Sequence, residues 1–252
     1  MGNPISFYKK AGASVLFFMV LFLAFPGPCP AGVDNRIYAG LLKKHVFRGR
    51  VDYDGFKQDE KRLDEYLELL SRTDLESLSR SGRFAFYINL YNAATIQLVL
   101  TEYPGINSIK EIGSFFSGPW SRKFISLNGR KLSLDQVEHD ILRPFFKDPR
   151  VHFAVNCASK SCPALLNVPY EGKTLETQLD DQATAFINDP RRNTLRGTTL
   201  FASRIFDWFR EDFNDNPLGF IRQYARGELK ENLDGGKEIK LDFLPYDWSL
   251  NR

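Results

Sequence analysis

The residues best placed for covalent chemistry lie in one stretch, VHFAVNCASKSCP, residues 151–163. A thiolate at Cys157 would be a nucleophile toward an amide or thioester carbonyl, provided that an imidazole or a helix N-terminus lowers its pKa. His152 and His139 are the two candidate bases, and Asn156, Asn89 or Glu138 would orient the chosen ring. Ser159 and Ser161, with the backbone N–H groups around them, would form an oxyanion pocket, and Lys160 would steady a thiolate or hold an anionic substrate. Cys162 opposes this reading, because a Cys157–Cys162 disulfide would silence the nucleophile.

Alternation makes 151–156 a strand whose core face is Val151, Phe153 and Val155. His152 and Asn156 then share the other face, about 13 Å apart at roughly 3.3 Å per residue. His152 reaches Cys157 only if the chain turns sharply at Asn156, and otherwise His139 must serve. His139 follows Glu138 directly, and neighbours on an α-helix diverge by about 100°, so the two would act separately. Glu138, His139, His152 and the thiols show no metal-ligand spacing such as HExxH or paired CxxC. C-x4-C is likewise not the C-x-x-C of a dithiol oxidoreductase. No metal and no cofactor is expected.

Whether the thiols pair depends on compartment. Lys9 and Lys10 precede an apolar run at residues 11–25 and a breaker, PGPCPAG, which together read as a signal peptide cut after Ala31. Acylation at Cys29 or an uncleaved anchor would be the only routes to a membrane. Removing residues 1–31 takes away both lysines and no acid, so the formal charge falls from +3 to +1. No basic cluster is interleaved with aromatics, so nucleic acid is not an expected partner. The expected location is periplasmic or secreted, where Cys157 and Cys162 would pair at rest. The partner would be a small molecule or peptide.

The elements that must position these residues follow from periodicity. Residues 33–47 and 58–71 have helical spacing, with an extended piece and an Asp54–Gly55 turn between them. Thr73 is placed to cap a helix start, with Glu76 three residues on. RFAFYINLYNAATIQLVLTEYP, residues 83–104, predicts a central buried helix, and Asn89 and Asn92 share one of its faces. They would either tie the helix to loops or line a pocket. KFISLNGRKLSL predicts a hairpin turning at Asn128–Gly129, and Ser133 then caps a helix bearing Glu138 and His139. A helix at 174–189 and strands in NTLRG and TTLFASRIFDWF follow. His45 reads as a surface residue, Trp248 as a core residue of a closing strand, and Asp207 and Arg210 as members of surface pairs. Without a βαβ rhythm or a phosphate loop, the fold class is α+β: residues 32–252 form one globular domain with a mainly antiparallel sheet.

With these segments assembled, FYINLYNAATIQLVL, SLDQVEHDILRP, DPRVHFAVNCASKSCPAL and YDWSLN resemble the bacterial and plant domain-of-unknown-function family numbered five-four-seven. The resemblance implies that Asn89, Asn92, Glu138, His139, His152, Asn156, Cys157, Ser159, Ser161 and Cys162 occupy its motif positions. It brings no known reaction, and a papain-like fold enters only by analogy. Two functions are expected to compete. One is a cysteine-dependent hydrolase or acyl transferase; the other is a non-catalytic binding or scaffold domain with a structural Cys157–Cys162 bridge.

Overall fold

A computed structural model describes residues 1–2, 32–113 and 118–252. The signal-peptide reading falls on residues 3–31, outside them, as do Phe115 and Phe116. The described chain is α+β, with helices and three small sheets that are mostly antiparallel. The centre of the first half is helix α4, Arg80–Leu100, capped by Ser79 through Gly82 N. Most of its side chains from Phe84 onward are buried, on all sides rather than along one stripe, as expected for a helix surrounded by others. Helices α1 (Arg36–His45), α2 (Tyr53–Gln58) and α3 (Glu60–Ser71) pack around it with an apolar face each.

Several early readings change. The segment read as extended before Gly55 is extended only in part: β1 (Val46–Phe47) pairs antiparallel with β2 (Arg50–Val51), and from Tyr53 the chain is already α2, because the Asp52 carboxylate caps it by accepting from Gly55 N at 2.9 Å. Gly55 serves close approach rather than a turn: a Cβ there would stand 2.2 Å from His45 Nδ1. His45 is accordingly buried, not on the surface, and its Nε2 meets Asp59 Oδ2 at 2.7 Å. The helix start read at Thr73 is a short 3-10 turn, Leu75–Ser77, capped by Asp74.

The predicted hairpin is present as β3 (Ile125–Leu127) and β4 (Arg130–Leu132). Asn128 and Gly129 both take positive φ, as the two-residue turn requires. Ser133 and Gln136 then exchange side-chain and backbone bonds in a capping box. The helix they open is wound as a π-helix over Gln136–Phe146. Its i→i+5 bonding puts more residues in each turn than an α-helix, so adjacent side chains diverge less. Glu138 and His139 therefore face the same cleft, contrary to the α-helical expectation.

The segment read as the chemical strand is not a strand. Pro149–Phe153 is a 3-10 helix. Asp148 caps it by accepting from Arg150 N, and Pro149 supplies the fixed φ of a helical first position. Arg150 then bridges Asp148, Asp180 and Glu176, which pins this turn to helix α5, Leu175–Ile187. The alternation of apolar residues was real, but all of Val151, His152 and Phe153 are buried.

Strands β5 (Thr194–Arg196), β6 (Thr199–Ala202) and β7 (Lys240–Phe243) form the third sheet, antiparallel and then parallel. Beyond Ala202 the chain is helical, with Ile205–Trp208 and a 3-10 turn at Arg210–Phe213. Phe153, Phe206, Phe213 and Ile221 belong to a second core, separate from the one around α4. At the C-terminal end the buried apolar residue is Leu250, and Trp248 is only half-buried, against expectation.

Candidate functional site

A cleft of about 210 Å³ opens where residues of both cores meet. The π-helix and Asp135 just before it supply Asp135, Glu138 and His139. The 3-10 turn supplies His152, and the loop after it gives Cys157 and Cys162. The facing wall carries Trp208, Phe209, Tyr246 and Trp248, with Trp120 and Tyr91 between. The rings touch in series: Trp120–Trp248 at 5.4 Å, Trp248–Tyr246 at 4.6 Å and Tyr246–Trp208 at 4.8 Å between centroids. The chain has three tryptophans, and all three line this cleft. Trp208 leaves 46% of its surface exposed. Three large rings held at one opening are expensive to keep wet, which marks the opening as a recognition surface.

Cys157 and Cys162 are joined in a disulfide. Tyr246 Oη and Ser159 Oγ each lie 3.3 Å from Cys157 Sγ. The loop that carries the bridge engages most of its own backbone donors. Ala158 N bonds to Asn156 Oδ1, Lys160 N to Ser249 O, Ser161 N to Asp247 O, and Cys162 N to Ser159 O. The oxyanion pocket expected from these backbone groups does not form.

His152 is buried, with Nε2 donating to Asp212 Oδ2 at 2.6 Å. Its ring stacks on Phe209 at 4.0 Å, and no hydrogen-bond partner of its Nδ1 occurs among the described residues. Arg143 grips the same carboxylate through Nε at 2.6 Å and Nη2 at 3.1 Å. Partial burial pushes the Asp212 carboxyl up, but hydrogen bonds from His152 and Arg143 outweigh it and hold the group well below the carboxylate range. His139 is half-exposed, with Nδ1 3.0 Å from Arg143 Nη1. Glu138 is about nine-tenths buried and forms no salt bridge among the described residues. Tyr91 stands beside it; burial raises the Tyr91 pKa first, and the Glu138 carboxylate adds to the rise.

The remaining predicted residues do not join this cleft. Asn89 accepts from Tyr170 N and donates to Tyr170 O, so it clips α4 to a loop. Asn92 does the same for Ala154 O and Asn156 N. Both are structural ties rather than pocket residues. Asn156 is the hub of the disulfide loop: Nδ2 donates to Pro163 O, and Oδ1 accepts from Ala158 N and Asn251 Nδ2. Ser159, Lys160 and Ser161 line a different concavity, which shares Cys162 and Pro163 with the first. Asp212, Tyr246, Trp208 and Trp248 were missed as site residues. RIFDWFREDF and YDWSLN read as packing segments, and only their density of rings next to acids could have signalled otherwise.

A family model described as "Protein of unknown function, DUF547" matches residues 75–187. That segment holds Tyr91, Trp120, Glu138, His139, His152 and both cysteines, while Trp208, Asp212, Tyr246 and Trp248 lie beyond it. The match is narrower than the motif resemblance, which extends to residue 251. Neither the comparison with curated proteins nor that with solved structures gave a match.

Proposed function

With residues 75–187 similar to the DUF547 family of unknown function, we propose that the chain is a binding domain. Its aromatic cleft would receive a small molecule or peptide through a cationic group. Glu138 carries this reading: a carboxylate about nine-tenths buried without a cationic partner among the described residues. Buried charges are ordinarily paired, and a ligand ammonium or guanidinium would complete this one. The rings of Trp120, Tyr246 and Trp248 would face the same cation, each such contact being worth about 0.5–2 kcal/mol. Lys110 Nζ already sits 5.0 Å from the Trp248 ring centre, so this indole has a face suited to a cation.

The test uses choline and its uncharged isostere, 3,3-dimethylbutanol, titrated against the non-reduced protein with tryptophan fluorescence as readout. The expected result is a preference for choline of at least about tenfold, abolished by Glu138→Gln. Equal response to both probes, or a preference that survives the substitution, contradicts the reading.

The His152–Asp212 pair favours a second reading for the reduced protein, the thiol hydrolase or acyl transferase. With the bridge cleaved by an external dithiol, His152 would take the proton from Cys157. The thiolate would attack an amide or thioester carbonyl, the leaving group would depart with that proton, and water would hydrolyse the resulting thioester. Asp212 would orient the imidazole. Mass spectrometry of reduced protein after exposure to thioester and activated amide probes checks it: a Cys157 acyl adduct lost in His152→Ala supports the reading, and no adduct rejects it.

A further inference from the structure

The second concavity, about 840 Å³, has an opposite character. Arg48, Arg50, Lys160, Arg191, Arg192 and Arg252 line it. Against these six cations stand the carboxylates of Asp189 and Asp247. This imbalance is local, because residues 32–252 together carry a formal charge of only +1. The cations come from four separate parts of the chain, so no run of basic residues announces them in sequence.

Several of these charges are not spent on structure. Arg48 and Lys160 make no side-chain hydrogen bond or salt bridge among the described residues; Arg48 lies only over the Phe47 ring, at 5.2 Å. Arg191 has Asp189 at 2.8 Å but its side chain remains 85% exposed. Arg192 is half-buried and 3.9 Å from the same carboxylate. Burial pulls its pKa down, and Arg191 beside it contributes in the same direction. Like charges crowded in a concave surface focus a positive potential outward.

We infer that this groove binds an acidic polysaccharide, a linear chain carrying repeated carboxylate or sulfate groups, with Arg48, Lys160 and Arg191 among the cations that meet it. The groove's rings argue against nucleic acid. Its aromatic lining residue, Phe186, is buried and lies 5.7 Å from the Arg192 guanidinium, and the exposed Phe47 ring at its edge already carries the Arg48 guanidinium over its face at 5.2 Å, so the lining itself offers no platform for base stacking. A concave groove also follows a flexible chain more readily than the flat face of a bilayer.

The test measures binding of the full chain to three probes: heparin, an oligodeoxythymidylate of matched charge, and phosphatidylglycerol vesicles. Heparin should bind most tightly and weaken steeply with added salt, as counterion release and screening require. The triple variant R48E/K160E/R191E changes exposed side chains and should keep its melting temperature while losing affinity at least about tenfold. The charge-keeping variant R48K/K160R/R191K should retain most of the binding. Heparin binding that survives the triple reversal, or that the charge-keeping variant loses, overturns the proposal. Tighter binding of the oligonucleotide or of the vesicles overturns it as well. None of these outcomes involves Glu138, so the groove and the aromatic cleft stand or fall separately.

Discussion

Two concavities meet at Cys162 and Pro163, and they differ in almost every property. One is small, ringed by indoles and phenols, and holds a buried carboxylate without a cation. The other is four times larger and basic. A single buried hub, Asn156, fixes the loop between them with three hydrogen bonds. The contrast teaches that a motif dense in polar residues need not form one centre. VNCASKSCP supplies Cys157 to one side and Lys160 to the other, and its asparagine belongs to neither.

The largest expected effect removes the partition itself. Asn156→Ala leaves Ala158 N and the Asn251 amide without an acceptor in a buried site. It should cost on the order of 3 kcal/mol in denaturant titrations and weaken choline and heparin binding together. Loss of one function alone would show that the loop does not couple the two walls. Cutting the bridge is next. The Cys157→Ser, Cys162→Ser double variant should lose about 2 kcal/mol, the value for a short closed ring. It should loosen the choline site more than the groove, because both sulfurs line the cleft and only Cys162 the other side.

Asp212→Asn sharpens the cleft side through pH. The wild-type carboxyl titrates below its unfolded value. Its contribution to stability is therefore complete above the unfolded pKa, near 4, and is lost as pH falls toward the depressed folded value. The variant should be less stable at pH 7 and show a flatter decline between about pH 5 and pH 2; parallel acid limbs for the two proteins would refute the assignment. The smallest stability change is the most informative. Glu138→Gln should leave stability unchanged or raise it by up to about 1 kcal/mol, since it removes a buried carboxylate that lacks a cationic partner among the described residues and keeps an acceptor for the Tyr91 hydroxyl, yet it should abolish cation preference. A large loss of stability would mean that Glu138 is structural.

Helices and the β3–β4 turn were legible because their signals are local. A 3.6-residue period marks α4, and Asn128–Gly129 fits only a turn with two positive φ values. Ser133 and Gln136 announced a helix start, but not the π winding that brings Glu138 and His139 to one side. The stretch at 151–156 failed for an instructive reason. Its apolar alternation was real, but Asp148–Pro149 upstream dictates a 3-10 start, and burial on every side removes the meaning of alternation. Asp212 lies 60 positions from its His152 partner, and Arg48 is more than 140 positions from Arg191. Such pairings depend on tertiary packing, which no local period records. His45 shows the same limit: two neighbouring lysines suggested surface, while Gly55 and Asp59 make it a buried hydrogen-bonded ring.

The most direct test follows the three indole N–H resonances of the non-reduced protein while choline and heparin are added in turn. Because Trp120, Trp208 and Trp248 all line the cleft, choline should shift them, heparin should leave them in place, and each ligand should bind with the other present. Indoles that respond to heparin as to choline, or mutual displacement of the two ligands, would mean that the partition does not separate two sites.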